Sequence, residues 1–91
     1  MKTKFSPGSK YYVPKRLYVN FIHSARSVGV SQNFISCFND EKAIELVSAL
    51  INSSGKAESF RFKCDNHSWW FSDGNDFFLP AEEYVQEEME L

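Results

Sequence analysis

The chain has 91 residues, with twelve acidic against ten basic side chains and two cysteines. That length holds one hydrophobic core but no deep substrate cavity, and 43% apolar with 16% aromatic content excludes a globally disordered chain. No apolar run approaches a membrane span, residues 1–10 lack the apolar stretch of a secretory leader, and two cysteines make no disulfide framework, so the pattern reads as a soluble, cytoplasmic protein with reduced thiols.

The net charge of −2 conceals a division along the chain. Residues 1–38 carry six basic side chains and no acid, +6, whereas residues 39–91 carry four basic and all twelve acidic side chains, −8. Such halves either compensate one another on folding or form two faces for different partners.

Residues 1–14 hold Pro7, Gly8 and Pro14 among lysines without periodicity, and read as a basic extended arm preceding a single globular domain over 15–91. In 16–23 the alternation of Leu17, Val19 and Phe21 with Arg16, Tyr18 and Asn20 predicts a first strand, reversed at 24–27. A second strand is expected at 33–38, with a single helical turn after Ser31 as the competing reading.

The stretch from Asn39 to Gly55 then predicts a central helix over about 40–53. At about 100° per residue, Ala43, Ile44, Leu46, Val47, Leu50 and Ile51 share one side. Asn39 suits the N-cap, Asp40 and Glu41 suit the positive end of the dipole, and Gly55 suits the left-handed position after the last turn.

In 58–64 Phe60, Phe62 and Cys64 alternate with Ser59, Arg61 and Lys63, the pattern of a half-buried antiparallel strand. Residues 65–67 form a turn, 68–72 a short strand, Asp73-Gly74 a tight hairpin turn and 75–79 the return strand of a meander. Pro80 fits the first turn of a short acidic helix over about 81–90. The resulting order, β-β-α-β-β-β-α, describes an α+β fold with a mostly antiparallel sheet and the central helix on one face.

No constellation here carries recognisable chemistry. Cys37, Cys64, His23, His67 and Asp65 supply the residue types of nucleophilic catalysis or zinc binding without the required spacing, and no phosphate-binding glycine loop or calcium loop is present. A non-enzymatic role without cofactor or metal is therefore expected.

Two features point to protein binding. In Trp69-Trp70-Phe71, alternation along a strand sends Trp70 to the face opposite its neighbours, and tryptophan is enriched at interface hot spots. Glu83, Glu87 and Glu88 lie in an acidic segment able to engage a basic groove. The expected function is a small adaptor or inhibitor that binds another protein through Trp70, Glu83, Glu87 and Glu88, a nucleic-acid-handling protein being one candidate target. The alternative is weak single-stranded nucleic-acid binding by Lys10, Tyr12, Lys15 and Arg16. A homodimer through a sheet face or edge strand is compatible with either.

Overall fold

The computed structural model describes residues 4–81. They form a small α+β fold: five strands, β1 (Lys10–Tyr12), β2 (Ile44–Ile51), β3 (Ala57–Phe62), β4 (Trp69–Trp70) and β5 (Leu79–Pro80), make one antiparallel sheet in the order β4-β3-β2-β1-β5. Three helices, α1 (Tyr18–Ser27), α2 (Gln32–Ser36) and α3 (Gly74–Phe77), supply the second layer.

The expected central helix is strand β2, and its sequence shows why both readings fit. Two consecutive residues of β2 are spent between the partners of Phe62 and Arg61, so Val47 is a bulge. Before it Leu46 faces inward opposite Phe62; after it Ala49 faces inward opposite Phe60. The bulge breaks the two-residue period: inward Leu46 and Ala49 stand three apart, and because outward Val47 and Leu50 are apolar too, the segment shows the three- and four-residue spacing of a helical stripe. Asp40 and Glu41, instead of opening a helix, adopt left-handed φ values of 55° and 57° in a tight turn closed by Lys42 N–H donating to the Asn39 carbonyl at 3.2 Å. Gly55 does take a left-handed φ of 87°, but in the hairpin between β2 and β3. There Asn52 Oδ1 accepts from the N–H of Ser54 and of Lys56.

The expected first strand is the converse case. Residues 15–17 form a 3-10 turn that leads into α1, which buries Phe21 and Ala25 one turn apart and packs Leu17, Tyr18 and Ile22 beside them. Val19, inward in the strand reading, is 64% exposed. Gly29, with φ of 86°, ends α1: its N–H donates to Arg26 and that of Val30 to Ala25, the paired bonds of a Schellman ending. The strand expected at 33–38 is α2, and the competing helical turn holds, with Ser31 Oγ accepting from Phe34 N–H at 3.3 Å.

Strand β3 matches the expected alternation, with Phe60 and Phe62 fully buried. The return strand expected at 75–79 is instead α3, and Asp73-Gly74 makes no hairpin turn. Gly74 is needed for space: a Cβ there would sit 2.7 Å from a ring carbon of Phe60 and 2.8 Å from one of Phe78. Asn75 fastens α3 to β3 by imitating a strand residue, its Oδ1 accepting from Ala57 N–H at 2.9 Å and its Nδ2 donating to the Ala57 carbonyl at 2.6 Å. Pro80 pairs with Tyr11 in the edge strand β5, where a missing N–H is tolerated. Apart from Ala81, the acidic helix expected at 81–90 lies outside the described residues.

Residues 4–14 are part of the body. Phe5 is buried at a ring-centroid distance of 4.9 Å from Phe60. Tyr11 Oη donates to the Lys4 carbonyl at 2.8 Å and accepts from Ser6 N–H at 2.7 Å, so the segment is pinned beside β1.

The centre of the core is Phe78. Its ring packs against Phe21, Phe34, Phe38, Phe60, Phe62 and Phe71 at centroid distances of 4.9–6.3 Å. Phe78→Ala is expected to lower the unfolding free energy by about 3–5 kcal/mol in urea denaturation, and a loss under about 1 kcal/mol would show that the cluster does not depend on it. Gly74→Ala, which pushes those rings apart, is expected to lose about 1–3 kcal/mol in the same assay; a neutral effect would mean the rings yield freely.

Candidate functional site

Because β3 sends Phe60 and Phe62 to the core, it sends Ser59 and Arg61 to the other face of the sheet. The ladder then fixes their neighbours. Ser59 pairs with Leu50 on one side and Trp70 on the other, and Ser48 pairs with Arg61. Trp70 is 66% exposed and Leu50 49% exposed, so an indole and a leucine flank a small serine on the face away from the helices. Trp70 is the only exposed Phe, Tyr or Trp among the described residues.

Its neighbour Trp69 shows how the strand separates the two indoles. Trp69 opposes Phe60 on the core side, lies 6.3 Å from Phe34, and donates from Nε1 to Asp65 Oδ2 at 3.2 Å. His67 stacks a tilted ring 4.1 Å from it. Trp69 is thus held by its hydrogen bond and its ring neighbours, while Trp70 points to solvent from the same two-residue strand.

Basic groups share the outer face with Trp70. Arg61 is a diagonal neighbour across the β3–β4 ladder, and its Nε is the one buried side-chain polar atom among the described residues without a hydrogen-bond partner. Lys10 faces Glu45 across the β1–β2 ladder, and Lys63 extends the Ser59–Arg61 row.

The site residues expected from sequence are therefore divided. Trp70 is exposed, and Lys10 lies on the same sheet face three strands away. Lys15 and Arg16 sit on the 3-10 turn that leads into α1, away from this row. Tyr12 is 3% exposed, so its ring faces are not open to a stacking base; Tyr11 and Tyr12 point to opposite faces of β1 and both are covered. Glu83, Glu87 and Glu88 lie outside the described residues. Leu50 and Arg61 belong to this face although neither is among the site residues expected from sequence. In the sequence Leu50 and Val47 read as part of the buried stripe of a helix, whereas the alternation of β3 shows the outward direction of Arg61.

A cleft of about 520 Å³ opens on another side, lined by Val13, Lys15, Tyr18, Val19, Asn39, Asp40 and Glu41. Its carboxylates serve the fold. Glu41 Oε2 accepts from Lys15 N–H at 2.9 Å, capping the start of the 3-10 turn where Pro14 offers no side-chain cap. Tyr18 donates to the Ile35 carbonyl at 3.3 Å, and its phenol is held above its usual range by burial and then by the charge of Asp40. Among the described residues no group of three or more His, Cys, Asp or Glu side chains gathers around a common point that could take a metal ion, and no helix is long and apolar enough to cross a membrane.

Cys37 and Cys64, 27 positions apart, approach one another at the start of the loop between β3 and β4. Both thiols are free, and Cys37 Sγ lies 3.9 Å from the Cys64 carbonyl oxygen. Burial, followed by the hydrogen bond from the Cys37 side chain, pushes the Cys64 thiol up to about 12. Comparisons with protein-family models, with curated proteins and with solved structures each return no match.

The raised thiol has a consequence for stability. The unfolded chain releases the Cys64 proton near the ordinary value of 9.0, whereas the folded chain retains it to about 12. The folded state then binds more protons, so stability falls as pH rises through that window. In reductant, unfolding midpoints measured from pH 8 upward are expected to fall more steeply for the native protein than for Cys64→Ser; parallel curves would remove the assigned shift.

Proposed function

We propose that the protein is a small non-enzymatic binding module, an adaptor or inhibitor, that docks another protein on the sheet face around Trp70. The observation that supports it is the exposed indole of Trp70, set across Ser59 from Leu50 in a chain whose other described Phe, Tyr and Trp side chains are buried or half-buried. Covering the remainder of Trp70 would contribute on the order of 2–4 kcal/mol to a complex, the scale of an interface hot spot. Ser59 between the two side chains keeps the surface low enough for a partner side chain to enter. Arg61, Lys63 and Lys10 would form a basic rim that suits carboxylates on the partner. In the same reading Glu83, Glu87 and Glu88 form a separate acidic contact, directed at a basic surface such as that of a nucleic-acid-handling protein.

A second reading, single-stranded nucleic acid on the same face, is favoured by the placement of Arg61 beside an exposed indole, with Lys10 three strands away on that face. Of the residues expected for nucleic-acid binding it uses Lys10 and leaves out Tyr12, Lys15 and Arg16.

Trp70→Ala is expected to leave the circular dichroism spectrum and melting temperature nearly unchanged. It should weaken binding of proteins captured from the native host about tenfold or more. Undiminished capture would overturn the docking face. Retardation of single-stranded RNA or DNA that falls steeply between low and moderate salt, and is lost in Trp70→Ala, would move the assignment to the second reading.

A further inference from the structure

We propose that Cys37 and Cys64 form a thiol–disulfide site that closes in the folded protein on reaction with a low-molecular-weight disulfide such as oxidised glutathione. The two cysteines of the chain sit side by side although 27 positions separate them. Cys37 follows directly on α2, in helical geometry, and its Sγ lies 3.9 Å from the Cys64 carbonyl oxygen. Cys64 lies two residues past the end of β3.

Neither end is loosely held. Phe38, next to Cys37, meets Phe62, two residues before Cys64, edge-on at 4.9 Å, and Phe34 packs 5.9 Å from the same ring. Both cysteines themselves pack on the margin of the core, half-buried, so a small disulfide reaches them from solvent while the aromatic contacts hold their backbones together. The fold thereby supplies the proximity that makes the second, intramolecular step fast.

The reaction balances as a thiol–disulfide exchange. The Cys37 thiolate attacks one sulfur of oxidised glutathione; a Cys37–glutathione disulfide forms, the glutathione S–S bond breaks, and one glutathione thiolate leaves. Cys64, after losing its proton to solvent, attacks Cys37 Sγ, forms the Cys37–Cys64 bond and displaces the second glutathione thiolate. Two protein thiols are oxidised and one glutathione disulfide is reduced to two thiols. Burial keeps Cys64 protonated in the resting state, which assigns the first attack to Cys37 and the resolving step to Cys64.

The bond would fix the start of the loop between β3 and β4 to the end of α2. Asp65, the residue after Cys64, accepts from Trp69 Nε1, and Trp69 belongs to the two-residue strand that presents Trp70. Oxidation thus tightens the support of the exposed indole. The proposal stands independently of the partner-binding reading, because its readout is chemical.

The full chain is to be incubated under native conditions with oxidised glutathione, then alkylated and weighed. The expected product has lost both free thiols and about 2 Da, with no glutathione attached, and melts about 10 °C or more above the reduced form, because the closed loop is long. Cys64→Ser should stop at the glutathione adduct on Cys37, and Cys37→Ser should react more slowly. Two thiols that survive in the folded protein while the urea-unfolded chain forms the bond would overturn the site. So would a stable adduct of the native sequence, or a disulfide that lowers the melting temperature. Melting of both single variants near the native reduced value shows that their chemistry is read in folded protein, and unfolded variants leave the mass result of the native sequence to decide.

Discussion

Phe78 packs rings from the sheet and from the helices against one another, and most other features of the fold can be traced to that contact. Phe60 and Phe62 reach it from β3, Phe21 from α1, Phe34 and Phe38 from α2 and the turn after it, and Phe71 from the end of β4. Edge-to-face and tilted pairs at these separations add to the burial term itself. The arrangement requires α3 to lie close on β3. Gly74 has no side chain to keep the layers apart, and Asn75 completes the hydrogen bonds of Ala57 at the point where β4 gives way to α3. A chain of this size thereby builds its core from a few large rings.

Once the core face of β3 is set, the outer face follows. Each inward phenylalanine on β3 forces an outward Ser59 or Arg61, and pairing across the ladder brings Leu50 and Trp70 to either side of Ser59. The same rule places the Trp69 indole inward against Phe34. Two adjacent tryptophans thus do different work, one bracing the loop through Asp65 and one standing in solvent. The bulge at Val47 matters here as well, because without it Ser48 would face the core and Ala49 the solvent. The cysteine pair is a by-product of the same packing: Phe38 and Phe62 draw the ends of α2 and β3 together, and a thiol extends from each.

Several elements were legible because a local rule decided them. The β3 alternation survived because no bulge interrupts it at Phe60 and Phe62, and Ser31 marked the start of α2 through its own side-chain oxygen. The opposite orientations of Trp69 and Trp70 required only that they lie on a strand. Elsewhere, local and distant forces disagreed. In α1 the β-branched and aromatic residues favoured a strand, yet Phe21 and Ala25 one turn apart meet the core only in a helix, and Gly29 supplies its ending. In 44–51 both periods were present, and the need of β3 for a hydrogen-bonded neighbour decided in favour of the strand.

By itself, the sequence determined the α+β class, the antiparallel character of the sheet, the inward faces of β3 and the outward aim of Trp70. These depend on alternation, capping and turn chemistry, which act within a few residues. Only the tertiary structure decided which apolar segment became helix and which became strand, that Tyr12 is covered, that Asp40 and Glu41 form a tight turn, and that Cys37 meets Cys64. The physical reason is that these outcomes depend on ring contacts and ladder hydrogen bonds between residues distant in the chain, whose free energies outweigh the few tenths of a kcal/mol by which local propensity separates helix from strand.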